Sequence, residues 1–423
     1  MVEKTTVDTR ARPVPRRTVL GIGIGALAGA ALAGCAGSPA PAVTAEAPAP
    51  APRATTPQAT ARPPAPTTPA APAAPAVAGL PGMPPIIDPH NVYSQAGANM
   101  LSGAVKDDRA LVYVPHDVSG DVWVIDPRTF AVVAKHPAGE QVQHVVPSYD
   151  MRTLYAADDV GNHLLPIDAR TGLPGRPIPA IAPYNLYFTP DGRFAIVVAE
   201  ARAELIWYDP HSWKQRDVTA LPDCAGIDHA DFSADGRTAV FTAEFSGRVA
   251  VVDVASHRHV RTIAMPHRNT GMGPQDIKTA PDGSAYYIAD SDEGGLWVLD
   301  GTATKVLRFI RTGKGAHGLY LSRDARQLYV TNRLEGSISV LDSYTGASVT
   351  KWKIPGGGSP DMGNVSADGS RLWLSGRYDD VVYVLSTTDG KLIRKIPVGR
   401  EPHGLCVWPQ PGRYSLGHTG ITR

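Results

Sequence analysis

The chain has 423 residues, with 41 Lys and Arg against 40 Asp and Glu, which gives a formal net charge of +1. This even balance offers no electrostatic footprint for binding nucleic acid. Three cysteines are too few for a scaffold built on disulfides.

The amino terminus is predicted to be an export signal. Residues 1–18 are polar and end close to the pair Arg16-Arg17, and an uncharged run of small and apolar residues follows from Val19 to Gly34. That run is shorter than the roughly 20 apolar residues a transmembrane helix needs. A basic start before a short apolar stretch indicates a secretory signal, and Arg16 and Arg17 resemble a twin-arginine signal.

A candidate lipidation site follows the apolar run. Leu32-Ala33-Gly34-Cys35 resembles a bacterial lipoprotein box, so we expect residues 1–34 to be removed and Cys35 to become an acylated amino terminus. The alternative is an uncleaved apolar anchor with an incidental cysteine. Buried acyl chains contribute about 0.8 kcal/mol per methylene. The prediction is an exported lipoprotein held on a membrane through Cys35, facing the periplasm or the cell-wall and extracellular side.

Residues 36–84 consist almost entirely of Ala, Pro and Thr. Such a composition cannot bury a core and favours extended, polyproline-like chain. We therefore expect residues 35–84 to form a disordered tether behind the lipidated cysteine, and residues 85–423 to form the folded part.

The folded part repeats itself, and two series of markers keep the same period of 41 to 47 residues. The first marks the turn after the first strand of each unit: Asp107, Asp150, Asp191, Asp235, Asp282, Asp324 and Asp368. The second marks the end of the third strand: Asp126, Asp168, Asp209, Asp253, Asp300, Asp342 and Ser386. Four short strands per unit at this period predict an all-β, seven-bladed β-propeller of four-stranded antiparallel blades.

One unit carries a family signature. Leu328-Tyr329-Val330-Thr331-Asn332 resembles the repeat of the bacterial YVTN-repeat (YncE-like) propellers, and related copies occur at residues 111–114, 154–158, 285–290 and 372–376. This family is distantly similar to NirF-like proteins of haem assembly and to the haem-d1 propeller of nitrite reductases. The resemblance implies the fold, whereas function depends on the particular site.

The closure of the ring leaves two possibilities. The inner strand beginning at His403 has no further strands of its own unit, while the strands at 111–138 lack an inner partner. The carboxy-terminal strand is predicted to complete the first blade, which removes a free sheet edge. Residues 97–106 compete for the same position.

The repeat alignment gathers polar residues at one end of the channel. The inner strands begin at Gln143, Tyr184, Asp228, Gln275, His317, Asp361 and His403. The next positions hold His144, Asn185, His229, Asp276, Gly318, Met362 and Gly404. The second strands end at the same mouth with His116, Asp158, Glu200, Glu244, Asp290, Asn332 and Gly376.

Ligand binding is therefore predicted at a mouth rich in His and Asp. The predicted ligand-binding residues are Gln143, His144, Tyr184, Asp228, His229, Gln275, Asp276, His317, Asp361 and His403. Imidazoles among carboxylates suit a borderline divalent metal, for which the candidate ligands are His229, His317, His403 and Asp361. The alternative is that these side chains only hydrogen-bond to water and to one another.

The cysteines of the folded part offer weaker candidates. Cys224 and Cys406 could form a disulfide, or Cys406 could join His403 at a soft metal. The more common role for such residues is that of small buried apolar side chains.

Three functions remain open. The first is a monomeric, non-catalytic binding module, with a small molecule, a metal or a protein as ligand and no nucleic acid. The second, implied by the NirF-like resemblance, is an enzyme or chaperone of tetrapyrrole, haem or metal metabolism, in which His317 or His403 would act as acid/base or axial ligand. The third is a structural protein of the cell surface.

Overall fold

The computed structural model describes residues 79–266 and 271–423. The predicted signal with Arg16 and Arg17, the lipidation site Cys35, and the predicted tether up to residue 78 lie outside the described residues. Contacts with the propeller already begin at Leu80, whose N–H donates to Asp235 O at 2.7 Å.

The described chain is almost entirely strand and turn. The first fifteen strands are β1 (Leu111–Pro115), β2 (Asp121–Asp126), β3 (Ala131–Pro137), β4 (Val142–Pro147), β5 (Thr153–Asp158), β6 (His163–Asp168), β7 (Ile178–Pro179), β8 (Asn185–Phe188), β9 (Ala195–Ala199), β10 (Glu204–Tyr208), β11 (Gln215–Ala220), β12 (Ile227–Phe232), β13 (Thr238–Ala243), β14 (Arg248–Asp253) and β15 (Arg258–Ala264). The next fifteen are β16 (Pro274–Thr279), β17 (Ala285–Asp290), β18 (Gly295–Asp300), β19 (Val306–Arg311), β20 (Ala316–Leu321), β21 (Gln327–Asn332), β22 (Ser337–Asp342), β23 (Ser348–Lys353), β24 (Pro360–Val365), β25 (Arg371–Gly376), β26 (Val381–Ser386), β27 (Leu392–Pro397), β28 (Cys406–Trp408), β29 (Ser415–Gly417) and β30 (Ile421–Thr422). A 3-10 turn, Glu200–Arg202, separates β9 from β10, and no helix in the described ranges is long and apolar enough to cross a membrane.

Seven antiparallel sheets confirm the predicted propeller. In six blades four consecutive strands pair in order, from β4–β7 to β24–β27, with the first strand innermost. The inner strands are buried along their length, whereas outer strands such as β23 and β11 are mostly exposed. This gradient explains the alternation of uniformly apolar and mixed segments in each repeat.

The carboxy-terminal strand closes the ring, as predicted. β28 pairs with β1, matching Leu111 with Trp408 and Tyr113 with Cys406. The competing segment, residues 97–106, is not the inner strand of this blade, and its Leu101 forms only an isolated bridge with Gly412. Pairing with β28 covers the inner edge of β1, which would otherwise be unpaired.

The repeated aspartates stabilise the turns that they mark. Asp150 Oδ1 accepts from Ser148 Oγ at 2.6 Å after an inner strand, and Asp342 Oδ1 accepts from Thr345 N at 2.8 Å after a third strand. Asp107 is the exception, because the inner strand of its blade is β28 and comes from the other end of the chain.

A hairpin fills part of the channel, and the repeats do not predict it. β29 and β30 extend the third sheet inward from β8, so that this sheet has six strands. Gly417 lies opposite Tyr187 with φ +97°, and a Cβ there would be 2.4 Å from Leu186 O. Only glycine allows so close an approach of two backbones.

Arg423 anchors the hairpin at its outer end. Its side chain is 2% exposed and donates to Asp231 Oδ1 at 3.2 Å, to Phe232 O at 2.8 Å and to Ser233 O at 3.0 Å. The fully buried Asp231 also accepts from the Tyr93 hydroxyl at 3.2 Å. The amino-terminal segment and the carboxy-terminal hairpin therefore meet at this end of the channel.

Cys224 and Cys406 are free, buried thiols, so the alternative of a disulfide between them is wrong. Burial raises the pKa of Cys406, whose Sγ donates to Val407 O at 3.9 Å and lies in an apolar cluster. This surrounding fits the apolar role rather than a soft metal ligand.

Candidate functional site

Five imidazole rings form a continuous cluster inside the channel. His144 lies on β4, His229 on β12 and His317 on β20, while His403 precedes β28 and His418 lies at the tip of the carboxy-terminal hairpin. Ring centroids are 4.8 Å apart for His144 and His403, 4.9 Å for His229 and His418, and 5.7 Å for His317 and His403. Each of the five side chains is at most 1% exposed.

The five positions come from two sources. Four histidines lie where the repeat alignment predicts them, with His144, His229 and His317 at the second or third residue of an inner strand and His403 just before β28. His418 belongs to no repeat and therefore escapes an analysis based on periodicity. The signal available in the sequence was a histidine between Gly417 and Gly420, residues that permit a tight turn.

Burial disfavours the protonated form of His144, His229, His317 and His403. It lowers the pKa of His144, His317 and His403 well below the usual value, and it lowers that of His229 to about 3. Neighbouring histidines add to the effect, because protonating one ring would place its charge against the next. Neutral imidazoles are the form that binds metal ions and that accepts hydrogen bonds.

Both carboxylate oxygens of Asp361 already have partners within the protein. Its Oδ2 lies 2.8 Å from His403 Nδ1, and its Oδ1 lies 3.1 Å from His317 Nδ1 and 3.2 Å from Arg333 Nη1. Arg377 Nη1 stands 4.0 Å away on the other side. A carboxylate with this many partners orients the two histidines and is poorly placed to be a metal ligand itself.

A second network joins the hairpin to the inner strands. Asn185 Nδ2 lies 3.1 Å from His229 Nδ1 and 3.0 Å from His418 Nδ1, while its Oδ1 accepts from Leu186 N at 2.8 Å. His144 Nδ1 lies 3.0 Å from Tyr184 O. Since a carbonyl oxygen only accepts, His144 carries its hydrogen on Nδ1 and leaves Nε2 with a lone pair.

Most of the residues predicted at the ends of the second strands do not face the channel's centre. His116 Nδ1 contacts Asp121 Oδ1 at 2.8 Å, Asp158 Oδ1 accepts from Gln141 N at 2.8 Å, and Asp290 Oδ2 accepts from Trp297 Nε1 at 3.0 Å. They stabilise the ends of their own blades. The alignment places these residues at the correct end of the channel, but it cannot show that their polar atoms are bonded to neighbours in their own blades.

Four carboxylates form what we call the acidic mouth: Asp159, Glu200, Asp228 and Glu244. Burial and the charges of Asp117 and Asp158 raise the pKa of Asp159 to about 6. Burial and Glu244 likewise raise the pKa of both Glu200 and Asp228 well above the usual range. Burial and mutual repulsion thus favour the protonated form of these carboxyls, and a cation bound among them would favour the charged form.

Polar side chains around the acidic mouth differ in whether their polar atoms have hydrogen-bond partners. Gln275 Nε2 donates to Glu244 Oε2 at 2.5 Å, and Gln143 Nε2 donates to Asp117 Oδ1 at 3.2 Å. Three buried acceptors have no hydrogen-bond partner: Gln143 Oε1, Asp159 Oδ1 and Asp228 Oδ2. Buried acceptors of this kind mark places where a further donor belongs.

Arg377 partly offsets the negative charge. Its Nη2 lies 2.7 Å from Asp117 Oδ2 and its Nε lies 3.7 Å from Glu401 Oε2. Burial acts to lower the pKa of Arg377, but Asp117 and Asp361 outweigh it and raise that pKa. Sequence reasoning missed Arg377 because it lies in a loop after β25, beyond the aligned strand positions.

The structure brings together a different candidate metal group from the predicted one. One ligand nitrogen from each of His144, His229 and His418 lies within 4.8 Å of the other two. The predicted set of His229, His317, His403 and Asp361 shares only His229 with this group. That set stays a prediction, and its Asp361 is occupied by the partners described above.

The remaining predicted residues also lie in this region. Tyr184 is 9% exposed, and its hydroxyl is 3.4 Å from His403 Nε2. Asp276 is fully buried, with Oδ1 accepting from Ile277 N and Oδ2 from Leu319 N, each at 2.8 Å. Asp276 therefore stabilises two neighbouring inner strands.

Comparison with known proteins agrees with this architecture. The family described as YNCE-like beta-propeller matches residues 69–411. The uncharacterized protein YncE of Salmonella typhi is 28% identical over 141 residues, which cover 32% of this chain and 39% of that protein. The match thus spans well under half the length of that relative.

Two further likenesses point in the same direction. Protein NirF of Pseudomonas aeruginosa is 23% identical over 277 residues, 59% of this chain and 68% of NirF. The solved structure of dihydro-heme d1 dehydrogenase NirN in complex with DHE aligns with a TM-score of 0.54 at 16% identity, covering 72% of this chain and 77% of that one. At this identity the structural likeness shows the fold alone.

Proposed function

The chain belongs to the YncE-like β-propeller family, and we propose that it is a binding module, anchored to a membrane outside the cytoplasm, that captures a cationic ligand at its acidic mouth. The ligand class is an organic cation with an ammonium or guanidinium group, free or as part of a protein. Membership of the family supports a propeller that presents a binding site, and the chemistry of the site supports the choice of ligand.

The observation that carries the proposal is the set of unpartnered acceptors. Gln143 Oε1 and Asp228 Oδ2 belong to side chains that are 4% and 0% exposed, and neither oxygen has a hydrogen-bond partner. An ammonium or guanidinium group brings several N–H donors and a positive charge. It would satisfy these oxygens and offset the repulsion between the carboxylates of the acidic mouth.

The spacing of the carboxylates favours an organic cation over a metal ion at this place. In the part of the chain that the structure describes, the group of three or more ligand atoms within 4.8 Å is the three-histidine one, and the acidic mouth forms no such group. Metal coordination by oxygen needs ligands at about 2.0–2.6 Å from one point. A guanidinium group spreads its donors over a wider fork and suits separated carboxylates.

The anchoring part of the proposal rests on the amino-terminal sequence. Arg16 and Arg17 precede a short apolar run, and Cys35 follows Leu32-Ala33-Gly34. Export by the twin-arginine route and acylation of Cys35 would hold the propeller at a membrane surface. The Ala, Pro and Thr-rich stretch behind Cys35 would supply the distance between them.

The binding function is tested by a thermal-shift screen of the full chain. The panel contains alkylammonium and guanidinium compounds together with carboxylates of equal size. Stabilisation by cations that disappears in Glu200→Gln and persists in Glu335→Gln supports the acidic mouth as the site. Glu335 is a suitable control because it pairs with Lys351 at 2.8 Å outside the channel. Stabilisation by the carboxylates instead would refute the proposal.

A tetrapyrrole is the second candidate ligand. The likeness to NirF and the cluster of five imidazoles favour it, because imidazole is a common axial ligand of haem iron. The carboxylates of the acidic mouth oppose it, because they would repel the propionates of a tetrapyrrole. An absorption spectrum of the chain purified from its native host decides between the two ligands. A Soret-type band would support the tetrapyrrole, and its absence would support the organic cation.

A further inference from the structure

We propose that His144, His229 and His418 form a binding site for a borderline divalent metal ion such as Zn²⁺ or Co²⁺, which fastens the carboxy-terminal hairpin to the propeller. This site lies deeper in the channel than the acidic mouth and does not depend on the ligand proposed there. It is built from one residue of the second blade, one of the fourth blade and one of the hairpin.

The first support is geometric. One ligand nitrogen of each ring lies within 4.8 Å of the other two, and each side chain is at most 1% exposed. At a tetrahedral zinc ion, with Zn–N of about 2.0–2.1 Å, ligand nitrogens are about 3.4 Å apart. Each ring would therefore have to move by less than about 1 Å to close the site.

The second support is the lack of partners. Nε2 of His144, of His229 and of His418 is buried without a hydrogen bond. His144 Nε2 keeps an unpartnered lone pair, and an ion or an ordered water is the common explanation for such an atom in a protein interior. Nε2 of His229 and of His418 carries the hydrogen instead, because Nδ1 of each ring accepts from Asn185. Imidazole nitrogen is also the ligand that borderline divalent metals favour.

Asn185 would compete with the metal ion for two of the ligand nitrogens. Its Nδ2 carries only donors, so the two Nδ1 atoms that it contacts, on His229 and His418, must accept. A metal that takes these lone pairs displaces the amide from the point that both nitrogens face. His418 Nε2 lies 3.6 Å from Asp276 Oδ1, so in that state the carboxylate orients the ring from behind, as in many carboxylate–histidine–metal sites.

A metal at this point would have a structural consequence. The tip of the hairpin is held by Asn364 Nδ2, which donates to Thr419 O at 3.0 Å, and by the contact of His418 with Asn185. A bond from His418 to a metal held by β4 and β12 would fix that tip. Three protein ligands leave a fourth position for water or for a ligand atom.

Cobalt titration of the full-length chain tests the site. The chain is freed of metal with a chelator and titrated with Co²⁺ while d–d absorption bands are recorded. We expect one equivalent of Co²⁺ to bind with bands typical of imidazole coordination in the wild-type chain. Loss of a ligand should weaken binding by more than about 100-fold, which exceeds the usual effect of changing a residue that only orients a ligand.

The variants separate this group from the other histidines. His418→Gln and His229→Gln should abolish the bands, whereas His317→Gln, a buried ring of the same cluster, should leave them intact. Asn185→Ser should strengthen binding because it removes the competing amide. A ligand variant that fails to fold would be detected by circular dichroism. In that case the site is still tested by the titrations of the wild type, His317→Gln and Asn185→Ser. Absence of a Co²⁺ complex in the wild type, or its loss in His317→Gln, would overturn the proposal.

Discussion

His418 Nδ1 lies 3.0 Å from Asn185 Nδ2, although the two residues are 233 positions apart. This contact makes the carboxy-terminal hairpin part of the site, since Asn185 opens the inner strand of the third blade. The channel of this propeller is therefore lined by the inner strands and also by the carboxy-terminal hairpin, which lies outside the repeats.

Removal of the hairpin's ion pair should destabilise the whole fold. Arg423→Met leaves Asp231 charged, buried and without its cation, and breaking a buried pair costs about 3 kcal/mol or more. We expect the free energy of unfolding, measured in urea, to fall by about that amount. Arg152→Met removes an exposed pair with Asp150 and should change it by less than about 0.5 kcal/mol. Equal effects of the two variants would refute the anchoring role of Arg423.

Asp159 should make stability depend on pH between about 4 and 6. Its pKa of about 6 lies above the value near 3.9 of the unfolded chain, so the native state binds the proton more tightly. Stability is therefore lost as the pH rises through this window, by up to about 3 kcal/mol. Asp159→Asn should be more stable than the wild type at pH 7.5, and the difference should shrink towards pH 4. A difference that is the same at both pH values would contradict this assignment.

Gly404 should be needed for the position of His144. A Cβ at residue 404 would lie 2.1 Å from His144 Cδ2, far inside contact distance. We expect Gly404→Ala to lower the free energy of unfolding by about 1–3 kcal/mol, because overpacking forces the ring to move. Gly103→Ala is the control, since a Cβ there meets nothing within 4 Å. A Gly404→Ala chain as stable as the control would show that His144 moves freely.

Cys35 should determine where the protein is found. Cell fractionation of the wild type should place the full chain with membranes, and Cys35→Ser should release it to the soluble extracytoplasmic fraction. Arg16→Lys combined with Arg17→Lys should retain it in the cytoplasm if export uses the twin-arginine route. Membrane association that survives Cys35→Ser would favour an uncleaved apolar anchor.

The sequence predicts the architecture well because each blade repeats the same chemistry. The YVTN-type signature at Leu328–Asn332 and the two series of turn markers locate the strands, and the closure by β28 follows from counting them. The carboxy-terminal hairpin could not be predicted, because residues 409–423 share nothing with the repeats. Its insertion depends on tertiary contacts such as Arg423 with Asp231.

The site is predictable only as a region. Alignment places four of the five clustered histidines, since the start of an inner strand always faces the axis. It does not reveal that Asp361 is bound by His317, His403 and Arg333, because those contacts join two further repeats. The alignment also does not distinguish Asp290, which accepts a hydrogen bond from Trp297, from the carboxylates of the acidic mouth. Equivalent positions of the repeats have different neighbours in the fold.

Calorimetric titration of the full-length chain with agmatine, arginine amide and ethylenediamine tests the central claim most directly. We predict that at least one of these cations binds with one site per chain, and that Asp228→Asn weakens its binding tenfold or more, about 1.4 kcal/mol. Asn at this position keeps the Oδ1 acceptor that holds Thr242 and His229 N, so the fold should survive. Absence of binding by all three, or equal affinity in Asp228→Asn, would contradict a cation site at the acidic mouth.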